Sequence, residues 1–143
     1  MRQLLLAIAL GFAGAAAHAG DVGQVKTASG SAHIERNGRQ LPAQVGASVQ
    51  EGDTLVTGPD GAVGLTFTDN SLLSLGPDSV LKIDRYAFDS TTNAGQFDTS
   101  LRRGTLAAVS GRIVKQRPEA MRVHTPSSIM GVRGTEFIVS VGD

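Results

Sequence analysis

The sequence contains no cysteine and no tryptophan, and tyrosine occurs once, at position 86. Without cysteine the fold has no disulfide, and a thiolate zinc site, a thiol nucleophile and a lipidated cysteine are all excluded. The net charge is zero, and five phenylalanines complete the aromatic set. A surface that binds nucleic acid through basic residues and stacking rings is therefore not expected.

The first 19 residues have the three parts of a cleavable signal peptide. Arg2 supplies a positive start, residues 4–17 form an uncharged apolar run, and Ala17-His18-Ala19 is an A-x-A cleavage site. The apolar run is shorter than the roughly 20 residues that span a bilayer. We therefore predict a signal peptide at 1–19 and one domain at 20–143 in the periplasm or secreted, with no membrane insertion after cleavage.

Residues 20–143 show glycine-punctuated runs of alternating apolar residues, which is typical of an all-β domain. No segment keeps the spacing of an amphipathic helix for three turns, so little helix is expected. The turn Gly58-Pro-Asp-Gly is echoed by Gly76-Pro-Asp-Ser. This weak repeat leaves a short β-solenoid-like arrangement and a sandwich both open. The predicted strands are 23–28, 32–36, 44–49, 54–57, 62–68, 71–75, 80–83, 96–102, 105–109, 121–125 and 136–141.

The turn chemistry separates several of these strands. Asn37-Gly38 favours a type I′ hairpin, because both residues accept a positive φ. Residues 84–96 interrupt the apolar pattern and are predicted to form a polar loop. Residues 112–119 are predicted to form a second loop, which is basic and ends near Pro118.

The sequence offers no set of residues for catalysis, so an enzyme is not expected. His33 and His124 are isolated in strand-like contexts, and no G-x-S-x-G nucleophile elbow is present. Ser127-Ser128 follow His124 too closely to indicate a catalytic triad. We expect no catalytic residue and no cofactor.

A metal site is not expected either, because zinc would need three or four ligands at short spacings. Four aspartates recur every seven to nine residues, which does not fit the two-residue rhythm of a calcium-binding EF loop. They are better explained as turn residues whose side chains bond to the backbone. These aspartates are Asp53, Asp60, Asp69 and Asp78.

Charge is distributed unevenly along the chain. Residues 20–100 carry ten acids against five bases, whereas residues 101–143 carry seven bases against three acids. The bases either spread over solvated strand faces or form a surface for an acidic partner.

The most distinctive segment begins at Val123 and reads VHTPSSIMGVRGTEFIV. Together with GDTLVTG from Gly52, DNS from Asp69 and LRRGTL from Leu101, it resembles the FecR domain. That family is known from periplasmic sensor and anti-sigma regulators of iron-siderophore uptake. The resemblance runs in order from about Val25 to Val139, which is nearly the whole of the predicted mature chain, and T-P-x-x-x-x-G-V-R-G-T-E-F is its most specific part.

We interpret the motif residues first as scaffold and second as a recognition surface. Two glycines permit a tight reversal, Pro126 ends the preceding strand, and Phe137 is expected to be buried. Arg133 and Glu136 could form an ion pair across the turn. The motif residues are Thr125, Pro126, Gly131, Val132, Arg133, Gly134, Thr135, Glu136 and Phe137, with a secondary motif at Gly52, Asp53, Thr57 and Gly58.

A FecR-type regulator has a cytoplasmic anti-sigma segment and a transmembrane helix, which are not expected here. We therefore expect a non-enzymatic protein-interaction or signalling module of the cell envelope whose partner is another envelope protein of unknown identity. The alternative is a domain that binds a small molecule or a cell-wall glycan, although sugar sites usually need aromatic platforms. The oligomeric state is left open, as is any regulation of a sigma factor.

Overall fold

The computed structural model describes residues 20–132 and 134–142. The predicted signal peptide at 1–19 and the motif residue Arg133 lie outside the described residues. Within them, a short helix α1 (Arg112–Gln116) and a 3₁₀ turn (Pro118–Ala120) accompany twelve strands. The strands are β1 (Asp21–Ser29), β2 (Ala32–Arg36), β3 (Arg39–Pro42), β4 (Ser48–Gln50), β5 (Thr54–Thr57), β6 (Ala62–Phe67), β7 (Leu72–Leu75), β8 (Val80–Phe88), β9 (Gly95–Val109), β10 (Met121–His124), β11 (Ile129–Gly131) and β12 (Glu136–Val141).

The all-β prediction is confirmed, and the structure differs from the predicted elements in several places. Strands β3 and β11 were not predicted, and the predicted strands 96–102 and 105–109 form the single strand β9. The predicted strand 44–49 is wrong for most of its length, because Gly46 has a φ of +94° and the chain turns there. The predicted loop 84–96 is shorter and covers only 89–94, because β8 continues to Phe88 and β9 begins at Gly95. Tyr86 and Phe97, on these added strand residues, are buried in the core. The predicted loop 112–119 contains α1, which buries Ile113 and Val114.

The strands form one continuous sheet with the order β3-β2-β5-β8-β9-β7-β6-β1-β4. All pairings are antiparallel except that of β10 with β9, which is parallel. Half one of the sheet contains β2, β3, β5, β8, β10, β11 and residues 95–103 of β9. Half two contains β1, β4, β6, β7, β12 and residues 104–109 of β9. The long strand β9 therefore joins the two halves.

Four of the places where the chain crosses between the halves stack side by side, and we call these four the corners. They lie at residues 30–31, 58–61, 76–79 and at Gly104 within β9. Backbone hydrogen bonds link neighbouring corners: the Gly58 N–H donates to the Ser31 carbonyl at 2.9 Å, and the Asp78 N–H donates to the Gly58 carbonyl at 3.0 Å. The two similar turns seen in the sequence are thus adjacent corners of one stack. Because their strands run antiparallel, the fold is a curled antiparallel sheet and its units do not coil in parallel like a solenoid.

The two halves enclose one core. Strand residues with period-two spacing fill it, which follows from a sheet with one buried and one solvated face. Phe67 of half two meets Phe97 of half one with ring centroids 4.7 Å apart, and Tyr86 packs against Phe97 at 4.8 Å. The largest fully buried side chains are Phe97, Ile34, Leu55, Leu65, Leu73, Leu81, Ile83, Leu101, Leu106, Ile113, Met121 and Val25.

Candidate functional site

The first part of the C-terminal motif builds the turn between β10 and β11. The Thr125 N–H donates to the carbonyl of Ser128 at 2.8 Å, and the Ser128 N–H donates to the Thr125 Oγ1 at 3.1 Å. Pro126 lies exposed in this turn. Thr125 therefore closes the turn with both its backbone and its hydroxyl.

The second part of the motif leads from β11 into β12. Val132 is buried, and its N–H donates to the Met121 carbonyl at 3.1 Å. Gly134 has a φ of +87°, which a residue with a Cβ rarely adopts, and Gly131 is the last residue of β11.

Beyond this bend, the Ser110 N–H donates to the Thr135 carbonyl at 2.8 Å, which starts the ladder between β9 and β12. Phe137 is partly buried against the core and Glu136 is exposed. The predicted ion pair between Arg133 and Glu136 involves a residue outside the described part of the chain and stays a prediction.

The secondary motif lies elsewhere in the fold, and its charged member is part of the core. Gly52, with a φ of +92°, turns the chain so that Asp53 enters the interior at 1% exposure. Two parallel hydrogen bonds join Asp53 to Arg36, at 2.8 Å from Nε and 2.7 Å from Nη2. The Asp53 carboxylate raises the pKa of Arg36 above its usual range. Asp53 is thus a buried ion-pair partner first, and its turn bond with the Gln50 N–H is secondary.

Thr57 and Gly58 of the secondary motif hold the second corner against the third. The Thr57 Oγ1 donates to the Gly76 carbonyl at 2.7 Å and accepts a hydrogen bond from the Ser79 N–H at 2.9 Å. Strands β8 and β9 separate β5 from β10 in half one. The two motifs therefore do not form a common site.

A buried network surrounds the single tyrosine. The Tyr86 hydroxyl lies 2.8 Å from the Thr68 Oγ1 and donates to the Asp69 Oδ1 at 3.2 Å. Asp69 also accepts hydrogen bonds from the Ser71 N–H at 3.0 Å and from the Ile113 N–H at 3.3 Å. The network joins the turn after β6 to the start of α1. Desolvation raises the pKa of Tyr86 to about 12.

This pKa makes a direct prediction about alkaline pH. The phenol's contribution to folding stability is fully present below the unfolded pKa of about 10. It is lost as the pH rises through the folded value of about 12. The free energy of unfolding should fall by up to about 1.4 kcal/mol per pH unit between these limits.

Because the chain has one tyrosine and no tryptophan, tyrosinate absorbance reports on Tyr86 alone. We expect a midpoint near 12 for the folded protein and near 10 in denaturant. Coincident midpoints, with the native circular dichroism retained, would contradict burial of the hydroxyl.

His33 and His124 do not combine into a catalytic site. His33 on β2 bonds to Glu35 at 3.1 Å, and His124 lies on β10, with β5, β8 and β9 between these strands. Among the described residues, no group of three or more histidines and carboxylates is placed to hold a metal ion. Asp60 bonds to the Ser31 N–H and hydroxyl, and these bonds lower the pKa of Asp60.

Strand β12 presents a free edge. Ser110 and Thr135 are a hydrogen-bonded pair, so alternation places Phe137, Val139 and Val141 in bonded pairs with β9. The backbone N–H and C=O groups of three other residues point away from β9: Glu136, Ile138 and Ser140. No described strand pairs with this outer edge. At its centre the Ile138 side chain is 73% exposed.

The other end of the sheet is protected in ways that β12 lacks. Edge strands usually avoid new pairing by being short or by carrying charge or proline. Strand β3 carries Arg39 and Pro42, and β4 has three residues. Strand β12 has six residues and no proline, and its one charged side chain is the exposed Glu136 at its start.

A cleft of about 750 Å³, which we call the corner cleft, opens at the end of β12. Strand β10 runs parallel to β9 and β12 runs antiparallel to it, so both strands end beside residues 101–104. The cleft occupies the next corner position of the stack, where no chain crosses among the described residues. It is lined by Arg102, Arg103, Thr125, Pro126, Ser127, Ser128, Met130, Val139, Ser140, Val141 and Gly142.

A β-bulge explains why two successive arginines line the same cleft. Val80 pairs with Arg103, whereas Leu81 pairs with Leu101, so Arg102 is the extra residue. A bulge breaks the alternation of side chains and redirects them. Gly104 follows with a φ of +95° and completes the bend of β9.

Sequence reasoning identified Thr125 and Pro126 but missed the rest of this surface. Arg102 and Arg103 belong to a basic region and to the family segment LRRGTL, neither of which predicts a cleft, and the sequence predicts Ile138 only as part of a strand. The adjacent pair Arg102-Arg103 before Gly104 was the available signal, since a bulge commonly combines an extra residue with a glycine.

The comparisons with known proteins identify the family. The sequence model described as FecR protein matches residues 53–143, which span β5 to β12. No curated protein gives a significant match. A solved structure described as "Cell surface anchoring domain" aligns with 43% of this chain and 82% of its own, at 27% identity and a TM-score of 0.41. Within the described residues, no helix has the length and apolar character needed to cross a membrane.

Proposed function

Because the chain belongs to the FecR protein family, we propose that it is an exported protein-interaction module of the cell envelope that acts by binding and not by catalysis. The observation that carries this proposal is the free outer edge of β12. A regular strand with unpaired backbone groups and an exposed isoleucine is a template for adding a strand from another protein. The partner is an envelope protein that supplies an extended segment.

Export rests on a separate observation, the signal pattern at residues 1–19. The family is associated with the periplasm and the cell envelope, which agrees with that pattern. In the proposed arrangement the leader is removed after Ala19, and the curled sheet presents β12 to partners beyond the inner membrane.

The edge is tested by a substitution that removes an outward-pointing N–H from β12 and leaves the hydrogen bonds between β12 and β9 intact. Ile138→Pro deletes such a donor on β12, and proline is tolerated on edge strands for this reason. We expect at least about tenfold less envelope protein to be captured, which corresponds to about 1.4 kcal/mol. The measurement is quantitative capture from envelope extract by protein recovered from the periplasm, whose N-terminal sequence should begin at Gly20.

Two controls separate the edge from general damage. Ile138→Thr keeps the N–H and a β-branched side chain, so capture should be largely retained. Gln40→Pro removes an N–H from β3 at the opposite end, because Gln40 lies next to the bonded hairpin pair Arg36–Arg39. If the folded Ile138→Pro variant captured as much envelope protein as wild type, the proposed binding at the edge of β12 would be refuted.

A further inference from the structure

The corner cleft lies beside the end of the free edge and carries charge of one sign. Arg102 and Arg103 are exposed and line the cleft. Within residues 20–132 and 134–142, neither makes an ion pair or a side-chain hydrogen bond, whereas Arg36 pairs with Asp53 and Arg117 with Glu119. The described lining contains no carboxylate. The two guanidinium groups therefore have no counter-charge among the described residues of the cleft, and Arg102 also borders a second groove that contains Glu35.

The rest of the lining suits a polypeptide that passes from the edge into the cleft. Ser140 has outward-pointing backbone groups on β12 and also lines the cleft. Ser127 and Ser128 present hydroxyl groups on the opposite wall, at the end of β10, where the Thr125 hydroxyl is bonded to Ser128 within the turn. Guanidinium groups bind carboxylates with paired hydrogen bonds, and neighbouring hydroxyls can donate to the same oxygens. The edge and the cleft form one continuous surface.

We propose that this surface binds an acidic extended segment, whose backbone pairs with β12 and whose carboxylate side chains enter the corner cleft to meet Arg102 and Arg103. The inference rests on the proposed function and adds the chemistry of the partner. The β-bulge in β9 turns both arginines to the cleft at once, which a regular strand would not do. The charge of the two arginines then determines which segment binds, and backbone hydrogen bonds to β12 keep that segment in place.

The test uses fluorescein-labelled peptides of alternating valine and threonine that end in glutamates, glutamines or lysines, and measures binding by fluorescence anisotropy. We expect the glutamate peptide to bind at least about tenfold more tightly than the lysine peptide at low salt, and the difference to shrink as salt screens the charges. The double variant Arg102→Gln/Arg103→Gln should lower affinity for the glutamate peptide by about tenfold or more and leave the glutamine peptide unchanged.

A matched control removes the same charge elsewhere. Lys115→Gln/Arg122→Gln changes two exposed residues outside the corner cleft and should leave affinity for the glutamate peptide within about twofold. Thermal unfolding of all variants confirms that they fold.

The outcomes distinguish this inference from the proposed function. If Ile138→Pro abolishes binding while the three peptides bind equally, the edge function stands and the acidic partner is wrong. If the glutamate peptide binds equally to Ile138→Pro, the cleft is an anion site without strand pairing and the inference fails. A dimer that dissociates on Ile138→Pro would show that a second copy occupies the edge, and it would also overturn the inference.

Discussion

Gly104→Ala is expected to lower the free energy of unfolding by about 3–5 kcal/mol, the sum of backbone strain and overpacking. Gly104 has a φ of +95°, and a Cβ added there would lie 2.0 Å from the Ser79 Oγ and 2.4 Å from the Ser79 Cα. The neighbouring corner cannot retreat easily, because the Ser79 hydroxyl also accepts a hydrogen bond from the Thr105 N–H. Such a loss is a large part of the 5–15 kcal/mol that holds a typical domain.

Two other glycines separate the causes of this loss. Gly46 has a φ of +94° with no atom within 4 Å of an added Cβ, so Gly46→Ala reports backbone strain alone, about 1–2 kcal/mol. Gly131 has neither a positive φ nor a close atom, so Gly131→Ala should change stability little. Chemical denaturation measures all three variants. Equal losses for Gly104→Ala and Gly46→Ala would show that the corners do not pack as tightly as described.

Arg36→Ala is the second substitution with a large expected effect, a loss of about 3–5 kcal/mol. It leaves the Asp53 carboxylate at 1% exposure with the Gln50 N–H as its remaining partner. Asp53→Ala should cost less, because the Arg36 side chain is 25% exposed and its guanidinium can regain water. The order of the two losses is itself a prediction, measured by urea unfolding.

Conservative variants test the geometry of this pair. Arg36→Lys keeps the charge but replaces two parallel hydrogen bonds by a point charge, so a partial loss is expected. Arg39→Ala removes an exposed arginine three residues away and should change stability by no more than about 0.5 kcal/mol. A loss on Arg39→Ala as large as that on Arg36→Ala would argue against a specific role for the buried pair.

Local chemistry made much of the fold predictable. Period-two spacing predicted an all-β domain, because each side of a strand meets one environment. Strand β6 alternates in this way between buried and half-buried residues. Asn37-Gly38 forms the expected hairpin, with φ values of +53° and +78°. The repeated Gly-Pro-Asp turns mark two corners, although their stacking was not evident from the sequence.

The features that depend on distant contacts could not be predicted. Asp53 was interpreted as a turn residue, because its partner Arg36 lies 17 residues earlier on another strand. Helix α1 is five residues long and has no local helix signal, and it forms where Ile113 and Val114 reach the core. The corner cleft could not be predicted either, because it forms only where β9, β10 and β12 come together. The role of the bulge at Arg102 is visible only in that arrangement.

The family motif acquires a structural explanation from this arrangement. Thr125 closes the turn on one side of the corner cleft, and the bend at Gly134 places β12 on the other side. The motif therefore holds the free edge and the cleft in place, and most of its residues support the surface that we propose for binding. Because most motif residues support the surface and do not form it, the motif is specific in sequence without resembling an active site.

Site-specific photo-cross-linking in living cells tests the central claim most directly. A photoreactive amino acid at position 138 lies at the centre of the free edge, and one at position 40 lies on the protected edge at the other end of the sheet. We predict a defined adduct with an envelope protein from position 138, found in the periplasmic fraction, and none from position 40. Adducts from position 40 alone, or none from position 138 in correctly exported protein, would contradict the account.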